Sequence, residues 1–127
     1  MLPFKNIRTV VVVDDEAPIR KLVKAVLSTS GFQVIEAQDG KEAWGLIQRG
    51  SDEVDVVVTD IRMPEIDGVT LAGWIMKLYP AIPVVLMSGY SDLGTTGLKN
   101  PNYRWEFVSK PFLPKTLIGA VNSVLAM

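Results

Sequence analysis

Five residues of this 127-residue chain combine reactive side chains with a position at or just after an apolar run. Asp14 and Asp15 follow the first such run, Asp60 ends another, Ser88 follows a third and Lys110 lies just beyond a fourth. Carboxylates gathered at one place would repel one another by several kcal/mol per pair at ~4 Å, even at an effective dielectric constant of about 20. If these acids meet, they need either protons or a compensating cation.

The residue types that the chain lacks narrow the choice of cation and of chemistry. There is no histidine and no cysteine, which excludes imidazole ligands, thiolate sites and thiol catalysis. Oxygen ligands favour Mg²⁺, Ca²⁺ or Mn²⁺, and room for water favours Mg²⁺. A cation, the Lys110 ammonium and the Ser88 hydroxyl around Asp60 would suit a dianionic phosphoryl group, with Asp60 as the nucleophile that forms an acyl phosphate.

Two simpler interpretations of these acids stay open. Asp60 alone is also typical of a residue that ends a strand or caps a turn. All three aspartates could instead be solvated side chains on separate loops. No glycine-rich phosphate loop is present, so a nucleoside triphosphate is not the expected phosphoryl donor.

Composition limits the classes of partner that the chain can bind. Thirteen basic and 14 acidic residues give a net charge of -1, which provides no electrostatic surface for nucleic acid or an anionic membrane. No apolar run approaches the roughly 18 residues of a membrane span, and the N-terminus lacks the apolar segment of a signal peptide. We therefore expect one cytoplasmic domain over residues 1–127, without direct nucleic-acid or membrane contact.

The elements that would position the reactive residues alternate between strands and helices. Runs rich in β-branched residues predict five strands, over residues 9–13, 32–37, 55–60, 83–87 and 105–108. Such alternation predicts an α/β fold with a doubly wound parallel sheet and helices on both faces. Right-handed crossovers place the carboxyl end of every strand at the same edge of the sheet, so the five residues should converge there.

Helices are predicted after the first, second, third and fifth strands. Pro18 suits the first turn of one helix and Gly31 its end, Asp39 with Glu42 resembles a capping box, and Pro114 can start the last helix. The apolar positions at helical spacing are Ile19, Leu22, Val23, Val26 and Leu27; Ala43, Leu46 and Ile47; Val69, Ala72, Ile75, Met76 and Tyr79; and Leu117, Ile118, Val121, Val124 and Leu125. Glycines and Pro101 interrupt the segment after the fourth strand, which predicts a short or irregular helix over residues 91–98.

These motifs, in this order and at these spacings, resemble the receiver domain of two-component response regulators. The resemblance covers nearly the whole chain and rests on four motifs, namely the acidic pair at 14–15, residues 60–68, Ser88-Gly89 and Lys110-Pro111-Phe112. It implies a flavodoxin-like fold with strand order 2-1-3-4-5. The pairing of Ser88-Gly89-Tyr90 with an interrupted fourth helix further resembles receivers associated with hybrid histidine kinases.

The resemblance implies a role for each residue at the predicted edge. Asp60 matches the phosphoacceptor, Asp15 a direct Mg²⁺ ligand, and Asp14 a neighbouring acid that acts largely through metal-bound water. The backbone carbonyl of Arg62 would be a further Mg²⁺ ligand, and Lys110 would pair with the phosphoryl group.

A second set of implied roles concerns switching and lifetime. Ser88 matches a hydroxyl that moves toward the phosphoryl group, and Phe107 matches an aromatic switch position. Because Phe107 has no hydroxyl, a switch there would be steric. Arg62 and Tyr90 each lie two residues past a site residue and could tune the lifetime of the phosphoryl group, although Tyr90 is also typical of a packed loop aromatic. The Lys110–Pro111 bond is expected to be cis.

The resemblance also implies a function in two-component signalling. The donor would be a phosphohistidine on a sensor histidine kinase or a histidine phosphotransfer protein, since this chain has no histidine of its own. The domain would assist its own phosphorylation and dephosphorylation and change conformation for a downstream output domain or protein, rather than act as an enzyme on a separate substrate.

Two rival functions share parts of this pattern. A phosphatase of the haloacid-dehalogenase type also uses an aspartate, a lysine and Mg²⁺, but it requires a second aspartate where this chain has Arg62. A receiver-like interaction module that is never phosphorylated is the other alternative, although such modules usually lack an acid or the lysine that this chain retains.

Overall fold

Five parallel strands form the centre of the structure, a computed structural model that describes residues 7–89 and 103–127. The strands are β1 (Thr9–Val13), β2 (Gln33–Ala37), β3 (Val56–Asp60), β4 (Val84–Ser88) and β5 (Trp105–Ser109). Their order in the sheet is β2-β1-β3-β4-β5, and every neighbouring pair is parallel. The predicted sheet and its implied order are confirmed, with strand bounds within one residue of those expected from the sequence.

The three inner strands are buried along their whole length. Every residue of β1, β3 and β4 is buried, whereas the outer strands β2 and β5 are partly accessible. Valine supplies most of β1 and β3, because a β-branched side chain packs well on a pleated surface that is covered on both faces. The last residues of these strands therefore have little freedom to move.

Four helices cover the two faces of the sheet within the described ranges. They are α1 (Ala17–Thr29), α2 (Gly40–Gly50), α3 (Gly68–Leu78) and α4 (Pro114–Ala126), with a short 3-10 turn at Ser51–Glu53. One apolar core joins α2 and α3 to one face, and a second core joins α1 and α4 to the other. Helices on both faces were expected from the alternation of elements, and this expectation is confirmed.

Side-chain caps set where two of the helices begin. Asp39 accepts a hydrogen bond from the Glu42 N–H (2.7 Å), and Asp67 accepts one from the Thr70 N–H (2.7 Å). The Glu42 carboxylate accepts from the Gln38 N–H at 3.0 Å, one residue before the cap. The predicted capping box therefore differs in one hydrogen bond: Glu42 accepts from the N–H of Gln38, and not from the N–H of the cap residue Asp39.

One apolar position predicted for α1 lies outside the core. Leu22 is 52% exposed, so it does not join the core, because α1 buries the stripe that contains Val23 and Leu27 and Leu22 lies about 100° away from Val23 around the helix axis. The irregular helix expected over residues 91–98 lies outside the described residues. Within the described ranges, no helix has both the length and the apolar character that are needed to cross a membrane.

Candidate functional site

The predicted reactive residues meet at the carboxyl edge of the sheet. Asp14 and Asp15 follow β1, Asp60 ends β3, Ser88 ends β4 and Lys110 follows β5. A cleft of about 340 Å³ opens at this edge, and its lining includes four of the five residues, with Asp14 beneath them. Parallel pairing of buried strands is what brings together residues that are up to 96 positions apart in the sequence.

Three carboxylates lie together at the cleft. One oxygen from each of Asp14, Asp15 and Asp60 lies within 4.8 Å of the others. Asp14 is fully buried and Asp60 is 5% exposed, whereas Asp15 faces solvent. An oxygen-only ligand set that is open on one side fits a hard divalent cation that keeps part of its water, which is the coordination that Mg²⁺ prefers.

The Lys110 ammonium lies between the two buried acids. Its Nζ is 3.2 Å from Asp14 Oδ2 and 3.3 Å from Asp60 Oδ1. The Lys110 N–H donates to the Ser88 carbonyl oxygen (2.8 Å), which fixes the lysine backbone to the end of β4. The following peptide bond, Lys110–Pro111, is cis as expected.

Burial and charge act in opposite directions on the two ionisable partners. Burial raises the pKa of Asp60 above its ordinary value; the Lys110 ammonium partly opposes this rise, and the Asp14 carboxylate adds to it. For Lys110, burial alone would lower the pKa, but the Asp60 and Asp14 carboxylates outweigh it and the pKa lies above its usual range. The lysine therefore stays protonated and partly compensates two buried carboxylates.

The backbone at Asp60 is held from several sides. The Ile61 N–H donates to Asp60 Oδ1 (2.9 Å), and the Thr59 hydroxyl donates to the Asp60 carbonyl oxygen (2.9 Å). Gly68, the first residue of α3, packs so tightly that a Cβ atom there would lie 2.0 Å from the Asp60 carbonyl oxygen. Gly68 ends the 60–68 motif, and the structure shows there a close approach of helix to strand that requires glycine.

Two site-supporting residues were missed in the sequence. Arg20 of α1 donates from Nη1 to the Asp14 carbonyl oxygen (2.8 Å) and from Nε to Glu36 Oε1 (3.1 Å). Glu36 belongs to β2 and also pairs with Lys21 (3.0 Å) and Lys24 (3.3 Å). An acid in the middle of a strand, opposite a helix with three nearby cations, was the signal that could have revealed this contact.

The remaining predicted residues lie around the cluster of acids and Lys110 or outside the described residues. Ser88 is buried at the edge and lines the cleft. Phe107 is partly buried and packs against the core on the α2 and α3 side, opposite Leu86 in the sheet register. Arg62 lines the cleft and is exposed, and Tyr90 lies outside the described residues.

Comparison with known protein sequences identifies one family. Residues 10–122 match the family model of the response regulator receiver domain. The chain is 35% identical over 117 residues to the sensor kinase CckA of Brucella abortus (strain 2308), covering 92% of this chain and 12% of that protein. It is 37% identical over 118 residues to the probable transcriptional regulator ycf27 of Guillardia theta, covering 91% of this chain and 44% of that protein. The chain spans less than half the length of these curated relatives.

Solved structures agree with the sequence comparison. The chain is similar to the crystal structure of a response regulator receiver domain protein from Clostridium thermocellum, with a TM-score of 0.87 and 28% sequence identity. The match covers 94% of this chain and 95% of that chain. By name, the two curated relatives are a sensor kinase and a probable transcriptional regulator.

Proposed function

The chain belongs to the family of response regulator receiver domains, and on that premise we propose that Asp60 accepts a phosphoryl group from a phosphohistidine of a partner protein. A carboxylate oxygen of Asp60 attacks phosphorus, the P–O bond of an acyl phosphate forms, and the P–N bond to the partner imidazole breaks. The observation that supports this most directly is the Lys110 ammonium within 3.3 Å of both buried carboxylates, beside an oxygen-only cluster.

The residues around Asp60 supply what an incoming phosphoryl group needs. Lys110 offers a positive charge and N–H donors, and the Ser88 hydroxyl offers a further donor from the neighbouring strand. Asp14, Asp15, Asp60 and the backbone carbonyl of Arg62 would hold Mg²⁺, which supplies positive charge for the phosphoryl oxygens and for the carboxylates. The cleft that contains these groups is open, so a partner can present its phosphohistidine directly.

The acyl phosphate then acts as a switch rather than as an intermediate of turnover. New hydrogen bonds to the phosphoryl oxygens favour a conformation in which Ser88 moves toward Asp60 and Phe107 repacks, and this conformation binds the downstream partner. Phe107 contributes by shape alone, since it has no hydroxyl. Arg62 and Tyr90 would modulate how quickly water reaches the phosphoryl group.

The proposed partners follow from this chemistry. The donor is a sensor histidine kinase or a histidine phosphotransfer protein, and the target is an output domain or a separate protein. Residues 1–127 would form a single receiver domain in the cytoplasm, either alone or as part of a longer protein such as a hybrid kinase. The net charge of -1 supports contact with proteins rather than with nucleic acid or a membrane.

Intact-mass measurement after incubation with acetyl phosphate and Mg²⁺ tests this proposal. The wild-type chain should gain the mass of one phosphoryl group, and Asp60→Asn should gain none. Asp52→Asn is the matched control, because Asp52 is an exposed aspartate on the 3-10 turn, and it should gain the same mass as wild type. A wild-type chain that stays unmodified would favour the interaction-module alternative, and steady hydrolysis of p-nitrophenyl phosphate would favour a phosphatase.

A further inference from the structure

We propose that Arg20 is a positioning residue for the cation site, and that it acts by fixing the peptide that joins Asp14 to Asp15. This inference rests on the proposed function, because it assumes that the three aspartates bind Mg²⁺. Arg20 itself is no ligand: it reaches the site through the Asp14 carbonyl oxygen, at 2.8 Å from Nη1.

The contact is built from three separate elements. Arg20 belongs to α1, its Nη1 bonds to the loop after β1, and its Nε pairs with Glu36 of β2 at 3.1 Å. The Arg20 side chain is only 14% exposed, and the guanidinium is a planar fork, so two bonds from different nitrogens define its orientation. The carbonyl of Asp14 is therefore held by a group that is itself fixed by the sheet.

Asp14 is constrained at its other polar groups as well. Its N–H donates to the Ala37 carbonyl oxygen (3.2 Å), Oδ1 accepts from the Glu16 N–H (2.9 Å), and Oδ2 lies 3.2 Å from Lys110 Nζ. The hydrogen bond from Arg20 constrains the Asp14 carbonyl as well. Because the peptide unit is planar, fixing that carbonyl also fixes the nitrogen and Cα of Asp15. The Asp15 side chain, whose carboxylate is exposed, is thus attached to a backbone whose position is fixed.

Glu36 keeps Arg20 in place and offsets its charge. A hydrogen bond from Lys21 is the largest influence that holds the pKa of Glu36 below its ordinary value; burial opposes it, and Arg20 and Lys24 reinforce it. Glu36 is therefore ionised at neutral pH and remains an acceptor for Arg20.

Positioning and charge predict opposite effects when Arg20 is removed. A cation close to a cation site repels it, so if Arg20 acted through charge alone, its neutral replacement would bind Mg²⁺ more tightly. If Arg20 positions the acidic pair, its replacement would bind Mg²⁺ more weakly, despite the gain in negative charge. The sign of the change separates the two explanations.

Calorimetric titration of the full chain with Mg²⁺, and in parallel with Ca²⁺, measures this sign. Arg20→Met keeps much of the aliphatic stem, and we expect its Kd for Mg²⁺ to rise about 10-fold or more, the usual effect of losing a group that orients a ligand. The loss for Ca²⁺ should be smaller, because Ca²⁺ accepts irregular geometry. Arg20→Lys keeps the charge but not the fork, so its Kd should lie between those of Arg20→Met and wild type.

Lys21→Met is the matched control, since Lys21 also pairs with Glu36 but is 63% exposed and is not bonded to Asp14. Its Kd should stay within about twofold of wild type, as expected for an exposed ion pair. An Arg20→Lys or Arg20→Met chain that is folded by circular dichroism and binds Mg²⁺ as tightly as wild type would overturn this inference alone. A wild-type chain that does not bind Mg²⁺ would overturn the proposed function together with it.

Discussion

Asp60 is an ionisable side chain in a position where its charge is unfavourable. It is buried, it lies near the Asp14 carboxylate, and the balance of burial, Lys110 and Asp14 raises its pKa. A raised pKa means that the folded chain holds the Asp60 proton more tightly than the unfolded chain does. The group therefore destabilises the metal-free fold at any pH where it must ionise.

Asp60→Asn should accordingly make the metal-free protein more stable at neutral pH. The uncharged amide avoids the cost of an ionised, buried carboxylate. The gain should be full above the folded pKa of Asp60 and should shrink as the pH falls toward the unfolded value of about 3.9, where aspartate is protonated in both states. Urea unfolding with EDTA across this range measures the difference, and a gain that is independent of pH would contradict the explanation.

Lys110→Met tests how far the lysine ammonium lowers the pKa of Asp60. The Lys110 ammonium opposes the rise in the pKa of Asp60, so its removal should raise that pKa further. Carbon-detected NMR titration of the aspartate carboxyl groups measures the shift in the metal-free protein. Lys115→Met, at an exposed position in the first turn of α4, is the control and should leave the Asp60 titration unchanged.

The convergence of the three aspartates could be predicted from the sequence because its signal is local. Asp14, Asp15 and Asp60 each stand at the end of a valine-rich run, and a parallel sheet then has only one edge at which they can meet. Arg20 stands at no strand end, and Glu36 opposite the cations of α1 indicated at most an ion pair. The bond from Arg20 to the Asp14 carbonyl oxygen depends on how far one side chain reaches from α1 to the loop after β1. Such a contact depends on tertiary packing, which a single sequence does not contain.

The junction between β3 and α3 is the element on which the position of Asp60 depends most. The Gly68 N–H donates to the Ile61 carbonyl oxygen (2.8 Å), and its Cα packs against the Asp60 backbone. Asp67 caps the same helix, so cap and close approach occur at adjacent residues. The start of α3 and the end of β3 therefore behave as one rigid unit.

Gly68→Ala should displace this unit. The added methyl group would lie 2.0 Å from the Asp60 carbonyl oxygen, a backbone atom that cannot rotate away. We expect a loss of about 1–3 kcal/mol in the free energy of unfolding, together with slower phosphorylation of Asp60. Urea unfolding and intact-mass time courses measure the two effects.

Gly73→Ala provides the contrast within the same helix. A Cβ at Gly73 meets nothing within 4 Å, so alanine should stabilise the helix by up to about 1 kcal/mol. If both variants changed stability in the same direction, the close approach at Gly68 would not be the cause of its effect.

Element bounds could be predicted to within one residue for the strands, because β-branched runs and flanking turn residues are local features. The ends of the helices depend on which side chain caps which N–H, and this is set by local geometry that residue types alone do not specify. Asp67 is an example: it lies within the 60–68 motif, and the structure shows that its side chain caps the start of α3.

At the scale of the whole molecule, binding of Mg²⁺ should stabilise the fold by mass action. A cation that binds only the folded chain at about 100 times its Kd adds about 2.7 kcal/mol to the free energy of unfolding. Urea unfolding with Mg²⁺ and with EDTA measures this gain. Asp15→Asn should lose most of it and the exposed Asp52→Asn should keep it, whereas an equal gain in both variants would place the cation elsewhere.

The two apolar cores lie on opposite sides of a sheet that is one layer thick, and side chains that alternate along each inner strand belong to different cores. Val11 and Val57 therefore have packing neighbours that Val10 and Val56 do not share. Substitutions on one side can be compensated by neighbours on that side alone, because distant sites contribute almost independently to stability. Because the two cores are nearly independent, related chains can diverge widely in core sequence. The geometry at the carboxyl edge of the sheet, which both cores support, is preserved.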